Sequence, residues 1–292
     1  MGDRGSADPS SATRVTYLGH ASLALESGGE TLLTDPVYSD RIARYFTKRS
    51  RRSEFRPEDL RRVAGVVISH AHHDHLDYRS LKRVGTAHPI VVPWGVARPM
   101  RWRGFTDVRV LRPWEEVALG GWRITAVPAQ HFGGRLPFVF TSGYQGYVLG
   151  GASCVYFAGD TGYNERLFRE IGRRFAIDLA VLPIAGAVVP WFRRNHMNAP
   201  EALRAAELLR ARHLLPIHFD TFPISFEPAG RAVRQLLEAS VRPGRTAIVR
   251  VLPEGESMYL GSGPAADPDG SRDREAGGPR PSDRRSGREA AG

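Results

Sequence analysis

The sequence predicts a mixed α/β protein arranged as a four-layer αββα sandwich, and three observations carry that prediction. Short apolar runs separated by glycine turns fill the first half of the chain. Strand-like runs alternate with amphipathic helical patterns in the second half. The 292 residues, 41% of them hydrophobic, are enough for two β layers, each needing a cover of helices on its outer face.

Taken in order, residues 1–12 are small and polar and are expected to form a disordered leader. Strand patterns follow at Arg14 to Leu18, Ser22 to Leu25 and Thr31 to Thr34, with turns at Gly19 and Gly28-Gly29. Val66-Val67-Ile68, within Gly65 to Ser69, is short and wholly apolar, as a buried strand is. Ile90 to Val92, Val108 to Leu111, Val117 to Leu119, Trp122 to Val127, Phe138 to Thr141, Gly146 to Leu149 and Val155 to Phe157 continue the series. Glu165 to Phe175 reads as a helix. A second helix starts after Asn198, a good N-cap with Pro200 in the first turn and Glu201 three residues on. Its apolar face is Ala202, Ala205, Ala206 and Leu209. A third is expected from Pro228 to Ala239, and strands at Leu179–Leu182, Leu214–Ile217 and Ala247–Val251 alternate with these helices. Residues 262–292 carry almost no apolar side chains and cannot offset their ordering entropy, so a disordered tail is expected, leaving 13–261 as one folded domain.

Composition narrows the function. Cys154 is the single cysteine, which excludes an intrachain disulfide and a cysteine-based zinc site; its apolar surroundings point to a core residue. No apolar stretch has the length of a secretory signal or a membrane span, so a cytoplasmic location is expected. The net charge is +10, and the only lysines are Lys48 and Lys82. Residues 262–292 are balanced, with six arginines and six acids. The densest basic stretch, Arg41 to Arg62, has nine Arg/Lys and three Asp/Glu, and reads as a solvated loop or as a surface for phosphate or anionic lipid.

The string His70-Ala71-His72-His73-Asp74-His75-Leu76-Asp77 follows the Val66–Ser69 strand. In extended geometry His70 and His72 point to one side and can share an ion. Asp74 and His75, placed after a turn, can face a second ion. These donors suit zinc, manganese or iron(II). Four residues cannot saturate two ions, and His131, Asp160 and His218 stand at other strand-to-loop junctions.

The H-x-H-x-D-H string, followed by a later His, an Asp and a final His, resembles the metallo-β-lactamase superfamily. The resemblance implies the metallo-β-lactamase fold, two divalent ions (zinc first, manganese or iron(II) as alternatives) and a ligand set. His70, His72 and His131 would hold the first ion; Asp74, His75 and His218 the second; Asp160 would bridge. Asp35 matches the family's early aspartate behind the ligands. Over roughly residues 14–240, Leu32-Leu33-Thr34-Asp35-Pro36-Val37, Phe157-Ala158-Gly159-Asp160-Thr161-Gly162-Tyr163 and His196-Met197-Asn198-Ala199-Pro200-Glu201-Ala202 are similar to the branch containing N-acylphosphatidylethanolamine-hydrolysing phospholipase D.

That resemblance implies a phosphodiesterase-like hydrolase acting through a metal-bridging hydroxide, with Asp74 or His196 moving the proton. The substrate would be a phosphate-bearing lipid or small molecule. A lactonase for a phosphorylated sugar acid is the alternative, and a nuclease of the same fold a further one. Peripheral membrane contact, with Phe46 and Phe55 as candidates, and a homodimer are expected partners; nucleic acid is not. His20 is assigned to the cleft wall or behind the ligands, His73 points away, and His88 and His213 read as structural.

Overall fold

The strand runs fall into two seven-stranded sheets. A computed structural model describes residues 12–42, 47–51, 53, 56, 60, 62–135, 138–139, 142–186, 193–224 and 227–261. Residues 1–11 of the expected leader, the expected tail 262–292, Phe46 and Phe55 lie outside the described residues.

The first half of the chain forms β1 (Thr13–Gly19), β2 (Ser22–Ser27), β3 (Glu30–Thr34), β4 (Arg41–Ile42), β5 (Thr47–Lys48), β6 (Val63–Val67), α1 (Tyr78–Val84), β7 (Ile90–Val92), α2 (Ala97–Arg101) and β8 (Val108–Val110). The second half forms β9 (Glu116–Leu119), β10 (Trp122–Val127), β11 (Gly134–Arg135), β12 (Phe138–Val139), β13 (Gly146–Gly150), β14 (Cys154–Phe157), α3 (Glu165–Arg174), β15 (Leu179–Pro183), α4 (Ala199–Leu208), β16 (His213–Ile217), α5 (Arg231–Ser240), β17 (Ile248–Val249) and β18 (Ser257–Leu260). The first sheet has the order β18-β1-β2-β3-β6-β7-β8 and the second β17-β16-β15-β14-β13-β10-β9.

Alternation explains the layers. In an apolar strand, neighbouring side chains enter different cores. Leu32, Val67, Phe157, Val181 and Leu215 pack between the sheets with Trp122, Ile124 and Tyr147. Their neighbours Leu33 and Val66 face outward with Ile68 onto Leu81 of α1 and Met100 of α2. Tyr156, Ala180 and Leu214 face the other way, onto Phe168 and Ile171 of α3, Leu203 and Ala206 of α4, and Leu236 of α5. Three cores therefore separate four layers, as the sequence predicts.

Local differences have local causes. The sequence reading missed α1, whose seven residues are too few for a periodic signal; Asp77 caps it, accepting from the backbone N–H groups of Arg79 and Ser80. It also missed α2 and β18. The capping box of α4 is present in both directions: Glu201 N donates to Asn198 Oδ1 and Asn198 N to Glu201 Oε2, at 3.0 Å each. α5 begins at Arg231 and not at Pro228, because Gly230 adopts a left-handed φ of 72°.

Topology sets the site. β3, β6 and β7 are mutually parallel, and β1 runs with them because β1–β2 and β2–β3 are both antiparallel. In the second sheet β14, β15 and β16 are parallel, and β10 shares their direction through antiparallel β13. His20, Asp35 and the histidine string follow the carboxyl ends of β1, β3 and β6. His131, Asp160 and His218 follow those of β10, β14 and β16. No helix among the described residues is long and apolar enough to cross a membrane.

Candidate metal centre

β6 ends at Val67, and the chain turns tightly at the string, where the N–H groups of His75 and Leu76 reach His72 O at 3.2 and 2.9 Å. That turn sets His70 and His72 on one side and Asp74 and His75 on the other. The seven sequence-predicted ligands come together. His70, His72, His131 and Asp160 offer donor atoms within 4.8 Å of one another, and so do His20, Asp74, His75 and His218. Asp160 Oδ2 lies between the two groups. It is 3.8 Å from both His70 Nε2 and His131 Nε2, 3.3 Å from His75 Nε2 and 3.2 Å from His218 Nε2. All of these residues except His72 and Asp74 are buried.

A set of acceptors behind the rings fixes their tautomers. His131 Nδ1 lies 3.0 Å from the Asn195 carbonyl, which only accepts, so Nδ1 carries the proton and Nε2 keeps its lone pair. Ser69 Oγ donates to Asp35 Oδ2 at 2.5 Å; it therefore accepts from His70 Nδ1 at 2.9 Å and leaves His70 Nε2 bare. Asp35 Oδ2 also accepts from His75 Nδ1 at 2.7 Å, and Asp35 Oδ1 from Ser69 N at 2.7 Å. His70 Nε2 and His131 Nε2 both face His72 Nδ1, at 2.8 and 3.3 Å. Three ring nitrogens with at most one proton among them thus converge. On the other side, His75 Nε2, His218 Nε2 and Asp160 Oδ1 are buried and make no hydrogen bond among the described residues. Buried ring nitrogens and a carboxylate oxygen without partners are costly alone, and they are donors that a cation takes once any ring proton leaves, so the residues present fit metal ions.

The electrostatics agree. Burial would raise Asp74 and Asp160, yet the surrounding imidazoles, His75 and His20 for Asp74 and His218 and His75 for Asp160, hold both well below the usual carboxylate range. Burial lowers His75 and His218, but Asp160 and Asp74 overcome it, so that His75 sits well above its ordinary value and His218 at about 9. Charge that favours a proton there favours a divalent cation in its place. Burial drives His70 well below its ordinary value and His131 to about 3.

The backbone is strained where the ligands are aimed. His20, Asp35 and His218 have φ of 56°, 34° and 60°. Such non-glycine conformations cost about 1–3 kcal/mol each and persist only when held. Here His218 N donates to His20 O at 3.0 Å, His20 N to Thr221 Oγ1 at 2.8 Å and Asp35 N to Val67 O at 3.0 Å. Gly159, at φ 58°, lets Asp160 pass Ser69, since a Cβ there would sit 2.4 Å from Ser69 Cβ.

A cavity of about 190 Å³ opens onto the cluster, lined by His72, Asp74, Phe132, Asp160, Gly186, His196, His218 and Ile224. His196 Nδ1 is 3.9 Å from Asp160 Oδ2, and burial brings its pKa to about 4. A larger cavity of about 580 Å³ lies at the β9–β10 turn beside Glu116, Gly121 and Arg123, and contains none of these residues.

His20 stands behind a ligand, one of the two places expected for it. Its Nε2 donates to Asp74 Oδ2 at 3.0 Å, and burial lowers its pKa to about 4, so it does this as a neutral ring. Ser69 was missed altogether; a serine beside a histidine carries no pattern of its own. Arg49, within the stretch read as a solvated or anion-binding surface, is 3% exposed. It donates instead to Leu18 O at 3.0 Å, Val37 O at 2.9 Å and Glu254 Oε1 at 2.5 Å. His73, His88 and His213 join neither group of donors. Cys154 is only partly buried, and burial pushes its thiol up to about 12.

A four-layer αββα sandwich with a histidine–aspartate cluster at the strand ends defines the class of metal-dependent enzymes with the metallo-β-lactamase fold. Residues 30–219 match the family described as Beta-lactamase superfamily domain, and the chain belongs to that family of metal-dependent hydrolases. It is 33% identical over 265 residues to N-acyl-phosphatidylethanolamine-hydrolyzing phospholipase D 1 of Caenorhabditis elegans, covering 81% of this chain and 73% of that protein. It is 31% identical over 258 residues to a metal-dependent hydrolase of Rubrobacter xylanophilus, covering 80% of this chain and 95% of that one. The solved structure of a metallo hydrolase from Ignicoccus hospitalis shares the fold, with a TM-score of 0.62 at 23% identity over 85% of this chain and 98% of that one.

Proposed function

We propose that the protein hydrolyses a phosphodiester, with phospholipids of the N-acylphosphatidylethanolamine type as its substrate class, using two divalent ions with zinc first among them. The observation that carries the reading is the pair of donor groups meeting at Asp160 Oδ2. His70, His72 and His131 would hold one ion, Asp74, His75 and His218 the other, and Asp160 both. Similarity to the nematode phospholipase D supports the substrate class. When bound, the ions supply positive charge for the phosphoryl oxygens and bring the pKa of water towards neutrality.

The chain's own residues do the rest. Asp35, Ser69 and Asn195 hold His75, His70 and His131 with their Nε2 atoms turned inward. His20 holds Asp74. His196 lines the cavity as a neutral ring and handles the proton, taking it from water or giving one to the leaving oxygen; Asp74, in the same lining, is the other proton-handling group. Phe132 and Ile224 are the large apolar side chains of the lining and exclude water from it.

The test joins metal content of the purified protein to cleavage of bis(p-nitrophenyl) phosphate before and after chelation, followed by N-acylphosphatidylethanolamine with mass-spectrometric detection of the products. Two ions per chain with chelator-sensitive cleavage of both substrates is the expected result. Two ions with turnover of sugar-phosphate lactones and none of phosphodiesters would replace the reading, and no retained metal after reconstitution would end it.

A further inference from the structure

The covering layer of the first sheet carries an unusual charge pattern. From Tyr78 to Thr106 there is no Asp or Glu, while Arg79, Lys82, Arg83, Arg98, Arg101 and Arg103 are all exposed. Two tryptophans stand among them, Trp94 at 51% and Trp102 at 71% exposure. Arg103 lies over the ring of Tyr78, the first residue of α1, at 4.4 Å, and this joins the cations of α1 to those around α2.

This face adjoins the metal centre. Trp94 follows β7, whose carboxyl end is level with those of β6 and β3, so it emerges on the same edge of the sheet as His70 and Asp35. Trp94 O accepts from Gly143 N at 2.8 Å. The next residue, Tyr144, is 37% exposed and lies 6.3 Å from the His131 ring. Trp94, bonded through its backbone to the residue before Tyr144, thus stands between the basic face and a metal-centre histidine.

We propose that the face formed by α1, α2, Trp94 and Trp102 docks on an anionic lipid bilayer and presents the cavity mouth to it. Acid-free arginine and lysine clusters are attracted to anionic headgroups, and tryptophan favours the depth of the membrane interface. Single-stranded nucleic acid also takes basic and aromatic surfaces, but it needs open ring faces, and the guanidinium of Arg98 covers Trp102 at 4.5 Å. The proposal deepens the phospholipid reading above, yet its test needs no turnover.

The metal-loaded full chain is sedimented with vesicles of phosphatidylcholine alone and with vesicles containing roughly one-third phosphatidylserine, neither holding N-acylphosphatidylethanolamine. Binding is expected to the anionic vesicles, weakening as salt rises. Arg98→Gln/Arg103→Gln should lose about fivefold in vesicle affinity for each arginine, the change that about 1 kcal/mol per basic residue gives. Trp94→Ala/Trp102→Ala should also lower it, with metal content and melting midpoint verifying that both variants fold. Undiminished binding by both variants, equal binding to phosphatidylcholine alone, or displacement of the vesicles by a single-stranded oligonucleotide at lower concentration would each overturn the proposal. Cleavage of soluble bis(p-nitrophenyl) phosphate by the unaltered protein reports separately on the phosphodiesterase reading.

Discussion

Replacing Asp35 by Asn tests how the protein aims its ligands without touching one. Asp35 accepts three hydrogen bonds, from Ser69 N and Oγ and from His75 Nδ1, at 2.7, 2.5 and 2.7 Å. Its φ of 34° is a conformation asparagine tolerates, so the backbone does not confound the result. An amide has one acceptor end. If its oxygen keeps Ser69 N, the NH2 group faces His75 Nδ1, and the imidazole must move its proton to Nε2, the atom turned towards Asp160. If the amide turns over, Ser69 N is left buried and unpaired, at about 1–3 kcal/mol. Either way the ion served by His75 should bind about 10–100-fold more weakly, as loss of a partner behind a ligand generally causes. His70, reached only through Ser69, should lose less. Dialysis against graded chelator with metal counted per chain separates the two proposed ions. A variant that holds both ions to the same chelator concentration as the unaltered protein would refute the reasoning.

Other outcomes follow from the same geometry. His20→Asn, which tolerates φ 56°, should weaken the ion held by Asp74 by about tenfold, read by the same dialysis, with circular dichroism unchanged. At pH 7, before metal enters, His75 and His218 carry protons, since His75 lies well above its ordinary value and His218 at about 9; loading should release about two protons per chain, measured by calorimetry in buffers of different ionisation enthalpy. Because those folded values are raised, the stability they give the metal-free protein is full below the ordinary histidine value and is lost as pH rises towards about 9, which denaturant unfolding at several pH values would detect. Gly159→Ala should cost about 1–3 kcal/mol in denaturant unfolding, because its Cβ meets Ser69 Cβ at 2.4 Å. Arg49→Met should cost about 2–3 kcal/mol, below the ~3–5 typical of broken buried pairs because Glu254 remains 27% exposed.

The fold was legible where apolar alternation was continuous. Val66-Val67-Ile68 and Val155-Tyr156-Phe157 announce strands because neighbouring residues must enter different cores. α1 and α2 were not legible, since seven and five residues hold barely a turn or two and no face emerges from them. β18 was hidden because Ser257 to Leu260 owes its strand form to pairing with Thr13 to Thr16, a partner far along the chain. In the site, the histidine string stands out by density, and His131, Asp160 and His218 by following strands. Ser69, and Asp74 as the particular partner of His20, were invisible, because each depends on which atom faces which, and that is decided by the packing of loops from both sheets.

The return of β18 to β1 has a consequence for the order of events during synthesis. The strand that completes the first sheet emerges from the ribosome after the whole of the second sheet, and His218 long after the histidine string. A nascent chain displays His70 to His75 with neither Asp160 nor the far wall in place. Capture of metal in its final arrangement must therefore wait until β16 and His218 have followed, and the early histidines are exposed until then to whatever cation the surroundings offer.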